Sequence, residues 1–347
     1  MPRRSWMLAA LAVGLCALPA AAQDKKGAVD QKKVDESVAK GLEYLRKNQS
    51  SDGSWSSQGG MYPTTMTGMA GLALLLEGST CREGKYADTI GKAVDWYLKR
   101  SQQNGLLGTP SNPSEGSRYT YGHGFGMLFL ACVYGEEDDP ATRKKLEALL
   151  KKAVDFSCKA VTKHGGWGYV SAADMNDFDE GSTTVTQLQA LRAARNAGIY
   201  VPNETIDRCI DYVKRSQNSD GGFMYQLSGG PSRFPRSAAG IVALYSAGIY
   251  EGDEIRKGLD YLMQNMPRAE DFSRDTHAMY GHYYAVQAMW QAGGEHWKKW
   301  YPAVQEVLVR QQQPDGSWQD LICSEYGTAM SCIILQMPNN YLPIFQR

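Results

Sequence analysis

The sequence carries no surplus of either charge, since 37 lysines and arginines face 37 acids. With no basic or acidic excess it lacks the electrostatic footprint of a nucleic-acid binder, and that class of partner is excluded. No Pro- or Ser-rich linker divides its 347 residues, so one large domain is expected rather than two. After Gln23 no apolar run approaches the roughly 18 residues of a membrane-spanning helix. His-Glu-x-x-His and paired Cys-x-x-Cys are both missing, which leaves no local zinc signature and no expectation of a metal or cofactor.

The first 22 residues differ from the rest. Arg3 and Arg4 precede an apolar run from Trp6 to Leu18, and Pro19-Ala20-Ala21-Ala22 supplies an Ala-x-Ala cleavage pattern. This reads as a secretory signal peptide over residues 1–22, with export to a periplasmic or extracellular space and cleavage near Ala22. Residues 23–32 are polar and read as a disordered linker, and residues 33–347 form the folded unit. Export permits disulfides. Cys81 and Cys132 fall near the ends of adjacent apolar segments and could meet. Cys323 and Cys332, nine positions apart, stand about 13 Å apart along a helix, too far to bridge. The other reading for most of the cysteines is a buried small hydrophobe.

What the sequence does have is a recurring turn. Gln49-Ser-Ser-Asp52-Gly53-Ser-Trp55 returns as Gln217-Asn-Ser-Asp220-Gly221-Gly-Phe223 and as Gln312-Gln-Pro-Asp315-Gly316-Ser-Trp318. Weaker copies end at Leu107 and at Trp167, and a blurred one lies near Phe272. The aromatic marker recurs at roughly 50-residue spacing, the regime of a repeated supersecondary unit. Each turn follows a one-sided amphipathic segment, such as Val34, Val38, Leu42 and Leu45, and precedes one that is apolar nearly all round, such as Met66, Met69 and Leu72 to Leu76. Glycines recur near the starts of the apolar segments, at Gly68, Gly122, Gly240, Gly281 and Gly327. Glycine costs a helix roughly 1 kcal/mol relative to alanine, so its recurrence there fits helices crowded around an axis. The pattern predicts an all-α (α/α)6 toroid, six inner and six outer helices around a tapered central cavity.

These turns and helix pairs resemble the squalene-cyclase "QW" repeats of the terpenoid cyclase and protein prenyltransferase superfamily, over essentially all of residues 30–337. The resemblance implies the toroid fold and a cavity for an isoprenoid or other apolar ligand. Asp174-Met-Asn-Asp177-Phe-Asp179-Glu180, entering the third inner helix, is similar to the Asp-x-Asp-Asp element of squalene cyclases. Asp177 and Asp179 fall on its first two aspartates and Glu180 replaces the third, which makes Asp179 the implied proton donor. From the residues alone, three clustered carboxylates repel one another and favour a protonated acid; capping of the following helix is the competing reading. The prenyltransferase branch needs zinc on an Asp, a Cys and a His, and here Asp320-Leu-Ile-Cys323 departs from its Asp-x-Cys. The Gly-Cys-Gly-Glu-Gln stretch of thioester-bearing toroids is absent.

Further candidates sit at the same inner-helix starts. His123 and His282 follow matching glycines in repeats two and five and could line one cavity from opposite walls, or serve as packing histidines. Tyr119, Tyr121, Tyr280, Tyr283 and Tyr326 suit a cationic intermediate or an apolar ligand face. Arg233 and Arg236 could hold an anionic head group or pair with Asp177 or Glu180; His277 and Glu325 complete the candidate lining. Two functions remain open: an acid-initiated cyclase- or transferase-like enzyme, and a non-catalytic exported binding or scaffold protein. Both take an apolar or amphipathic small molecule as the partner.

Overall fold

The computed structural model describes residues 29–174, 177–266 and 277–346. The leader expected over residues 1–22, most of the linker read over 23–32 and the repeat marker at Phe272 lie outside them. The first helix begins at Gln31 and so takes in the last two residues assigned to the linker. The described residues form twelve α-helices and no β-strand, and no helix among them is long and apolar enough to cross a membrane.

The helices alternate between two layers. The outer set is α1 (Gln31–Lys47), α3 (Ala87–Arg100), α5 (Pro140–Ala160), α7 (Asn203–Arg215), α9 (Asp253–Gln264) and α11 (Gly294–Gln311). Each turns one apolar stripe inward, as α1 does with Val34, Leu42 and Leu45, and keeps its charges in water. The inner set is α2 (Pro63–Leu75), α4 (Tyr119–Glu136), α6 (Gly181–Asn196), α8 (Phe234–Ser246), α10 (Ala278–Ala292) and α12 (Ser324–Gln336). Every residue of α2 is buried. Each inner helix packs on the next and α12 packs back on α2, so the ring closes. The approach is tight: a Cβ at Gly68 of α2 would lie 2.8 Å from the Phe125 carbonyl oxygen of α4. The fold is the expected (α/α)6 toroid.

The recurring turns are the rivets of this ring. In the three full copies the glutamine Nε2 donates both of its hydrogens, one within its own turn and one to the next outer helix. Gln49 reaches the carbonyls of Gly53 and Thr89, each at 2.9 Å, and Gln217 those of Gly221 and Glu254, again at 2.9 Å. Gln312 reaches Gly316 at 2.9 Å and Ser37 of α1 at 2.8 Å, which ties the last repeat to the first. The indole N–H groups of Trp55, Trp167 and Trp318 donate backward to their own outer helices, at Leu45, Ser157 and Leu308. Replacing Gln312 by alanine removes two partly buried hydrogen bonds, one of them across the closing seam. The expected cost is about 1–2 kcal/mol, read as a lower urea midpoint at unchanged slope.

The described cysteines are all free, so the bridge weighed between Cys81 and Cys132 is not formed. Burial pushes both of these thiols up to about 12, the behaviour of small apolar side chains. Beyond α12 the tail buries Leu342 and Phe345, and Gln291 at the end of α10 holds the Gln346 carbonyl at 2.6 Å.

Candidate functional site

One further set of contacts fixes how each inner helix is rotated about its axis. The backbone N–H of the turn aromatic donates to a side chain in the first turns of the next inner helix. Trp55 donates to Thr67 Oγ1 at 3.0 Å, Trp167 to Thr184 Oγ1 at 3.0 Å, Phe223 to Ser237 Oγ at 2.9 Å and Trp318 to Thr328 Oγ1 at 3.0 Å. In repeat two the donor is Leu107 N and the acceptor is His123 Nδ1, at 3.2 Å. These acceptors point outward, to the turns. A helix advances about 100° per residue, so the residue two places earlier points to the opposite side, toward the axis.

That residue is Thr65, Tyr121, Ser182, Pro235, Tyr280 and Tyr326 in the successive repeats, counting His282 as the fifth acceptor position. All six line one central cavity of about 910 Å³. Around its mouth stand Tyr62, Tyr119, Tyr169, Tyr225, Arg118, Arg233, Arg236, His277 and two acids, Glu115 and Asp320. Tyr169 and Tyr225 join hydroxyl to hydroxyl beside Ser182. Tyr119 donates to Asp174 and accepts from Ser171 N at 2.8 Å. Burial raises Tyr121, Tyr280 and Tyr326 well above the usual phenol range, so they stay neutral donors. Ile322, 40% exposed, lines the cavity, and its neighbour Leu321 is 74% exposed.

The two lining acids differ. Glu115 is buried and accepts Thr64 N at 2.7 Å, Thr64 Oγ1 at 2.9 Å and Thr109 N at 2.9 Å, so its oxygens are committed to holding the start of α2. Asp320 is half-buried and accepts Ile322 N at 2.8 Å. Burial raises its carboxyl, a shift opposed by that hydrogen bond and by His277.

The candidate acids of repeat three lie elsewhere, and their expected placement is corrected. None of Asp177, Asp179 and Glu180 is among the cavity-lining residues. Glu180 is the N-cap of α6, accepting Ser182 N at 2.7 Å and Thr183 N at 2.5 Å, and the cap turns its carboxylate back onto its own helix. Its pKa is raised, first by burial, against the pull of these donors. Asp179 accepts Thr162 Oγ1 at 2.7 Å and pairs with His164 Nδ1 at 2.9 Å, which stitches the turn after α5 to the start of α6. Asp177 is held below the usual carboxylate range by Lys163, whose N and Nζ lie at 3.1 and 2.8 Å. The three point apart and share no proton.

The expected placement of four other residues is corrected for related reasons. His123 and His282 are buried on the outward side. His123 Nε2 reaches Ala153 O at 3.2 Å and Ser157 Oγ at 3.1 Å, and His282 packs between Phe234 and Trp300. Burial holds them neutral, down to about 4 and about 3. Tyr283, one residue past His282, is buried outside the cavity lining and donates to Gln189 Oε1 at 3.2 Å. Glu325 turns toward α1, where Tyr44 Oη lies at 3.5 Å. Arg233 and Arg236 do line the cavity, but pair with neither Asp177 nor Glu180; Arg236 Nε donates to Phe223 O at 3.1 Å. Sequence reasoning passed over Tyr62, Thr65, Arg118, Tyr169, Ser182 and Tyr225, and the signal that finds most of the ring is the acceptor position read two residues back.

The fold is an α/α toroid like that of terpenoid cyclases. Among solved structures, the type II terpene cyclase MstE from Scytonema superposes with a TM-score of 0.63 at 12% identity, over 90% of this chain and 100% of that one. A variant of that cyclase holding its substrate, geranylgeranyl dihydroxybenzoate, superposes with a TM-score of 0.60 at 13% identity. An α-1,6-mannanase of Salegentibacter sp. superposes with a TM-score of 0.62 at 7% identity, over 87% of this chain and 98% of that one. Terpene and glycan chemistry thus share the architecture, and the likeness is one of fold. In sequence, human lanosterol synthase is 31% identical over 86 residues, 25% of this chain and only 12% of that protein's length. No family model matches the chain.

Proposed function

We propose that this chain binds an apolar or amphipathic small molecule in its central cavity, without acid-initiated turnover by the 177–180 carboxylates. The observation that carries the reading is the division of labour at the inner-helix starts. Tyrosines face the cavity, while Asp177, Asp179 and Glu180 are spent on holding repeat three together. An aromatic-walled cavity of about 910 Å³ falls in the range of small-molecule sites and suits a hydrocarbon or ring-shaped body. The terpene cyclase neighbours, which hold an isoprenoid substrate or product in the same fold, lend support. We also propose export, on the leader read at residues 1–22; fractionation of producing cells should find the chain shortened near Ala22 and outside the cytoplasm.

The test is to incubate the purified protein with a lipid extract, re-isolate it and identify what stays bound by mass spectrometry. Under this reading a defined molecule is retained and Asp179→Asn retains it equally. Conversion of the molecule by the wild type, lost in Asp179→Asn, would overturn the reading in favour of a cyclase.

A further inference from the structure

The cavity wall is electrically lopsided. Arg118 is the N-cap of α4, Arg233 is the N-cap of α8, and Arg236 lies in the first turn of α8. They therefore flank α6, on repeats two and four. Asp320 belongs to repeat six, which stands opposite repeat three in a six-membered ring. Among the described residues none of the three arginines makes an ion pair, although other cations of the chain do, as Arg46 does with Glu43 and Arg215 with Asp211. Glu115, one of the two lining acids, already accepts three hydrogen bonds from Thr64 and Thr109.

The guanidinium groups are also set in place. Arg236 gives Nε–H to Phe223 O at 3.1 Å and one Nη2–H to Pro231 O, which leaves the rest of its fork for another acceptor. Arg118 lies 6.0 Å from the Tyr62 ring centroid and 5.7 Å from that of Tyr169, both cavity-lining rings. Burial and the proximity of Arg233 lower the pKa of Arg236, so two like charges share a partly desolvated wall, and neither makes an ion pair among the described residues. An anion placed there relieves that repulsion, and a planar fork suits carboxylate or phosphate oxygens.

We propose that the molecule held in the cavity is an amphipathic anion, its acidic head on Arg118, Arg233 and Arg236 and its apolar body among Tyr121, Tyr280 and Tyr326. This rests on the reading of the cavity as a ligand site and narrows it. The shared chemistry is a carboxylate or phosphate ester on a hydrocarbon.

The experiment is isothermal titration with four probes of one chain length, each below its micelle concentration: dodecanoate, dodecyl phosphate, dodecanol and dodecyltrimethylammonium. At least one anion should bind about tenfold or more tighter than dodecanol, and the cation should bind weakest. Comparing the two anions separates a carboxylate head from a phosphate head. The advantage should shrink at about 0.5 M salt, and in Arg233→Gln with Arg236→Gln, or in Arg118→Gln should the pair unfold. Dodecanol binding as tightly as both anions, or an anion advantage untouched in the folded arginine variants, would sink the anion assignment while leaving the cavity reading standing. If no probe binds and the lipid extract also yields nothing, the cavity reading itself fails.

Discussion

Alanine at Gly316 should cost the fold about 3 kcal/mol or more, far beyond an ordinary turn substitution. Gly316 has φ +93°, where a side chain is strained by about 1–3 kcal/mol. Its added Cβ would also meet backbone, 2.6 Å from Lys40 O and 2.9 Å from Lys40 C in α1. That atom has nowhere to go, because α1 is also held there by Gln312 through Ser37 O. The corresponding glycines have the same problem: a Cβ at Gly53 would lie 2.4 Å from Lys92 O, and one at Gly221 would lie 2.3 Å from Lys257 O. Gly59 supplies the control, since its φ is +70° but nothing lies within 4 Å of its added Cβ. Urea unfolding of the two variants should therefore separate strain from collision, with Gly316→Ala worse than Gly59→Ala by about 2 kcal/mol. Equal losses would mean that the turns do not clamp neighbouring outer helices.

Acidification should weaken the ring through its two buried histidines. Burial holds His123 down to about 4 and His282 to about 3, against a reference of 6.5. Above pH 6.5 neither the folded nor the unfolded chain protonates them and the stability is intact. Below it the unfolded chain takes up protons that the folded chain refuses, so stability falls with pH until the folded values are reached. Two such groups give a slope approaching about 2.7 kcal/mol per pH unit, and a loss of about 3–4 kcal/mol between pH 7 and pH 5. His123→Thr, which installs the hydroxyl used by Thr67, Thr184 and Thr328, should roughly halve that loss whatever it does to stability at pH 7. A loss below about 1 kcal/mol in the wild type would show that the folded protein accommodates the imidazolium ions.

These histidines also show how far the sequence can be read. The turns were legible because their chemistry is local: a glutamine amide with two hydrogens, a glycine at positive φ, an indole N–H returned to its own helix. The two layers were legible because α1 is apolar on one stripe while α2 is apolar all round. That same uniformity hides the site. A helix buried on every face has no hydrophobic asymmetry to fix its rotation, so composition cannot say which first-turn residue faces the axis. The rotation is set by one hydrogen bond arriving from the preceding turn, such as Leu107 N to His123, and the cavity residue is then found two places earlier. Reading the glycines instead of the acceptors put His123 and His282 on the wrong side of their helices. Tyr121, Tyr280 and Tyr326 were found because aromatic crowding survives that error. For the Asp177–Glu180 run the sequence offered both a proton donor and a cap for the following helix, and Glu180 takes the capping role with its own side chain.

The most direct measurement of whether this hollow is the working part of the molecule is ligand retention by Thr65→Trp. Thr65 is 8% exposed, lines the cavity from α2 and makes room that an indole would fill. After exposure to a lipid extract, native mass spectrometry should find the wild type carrying a bound molecule and a folded Thr65→Trp variant empty. Equal retention by both would place the bound molecule outside the ring and contradict the account.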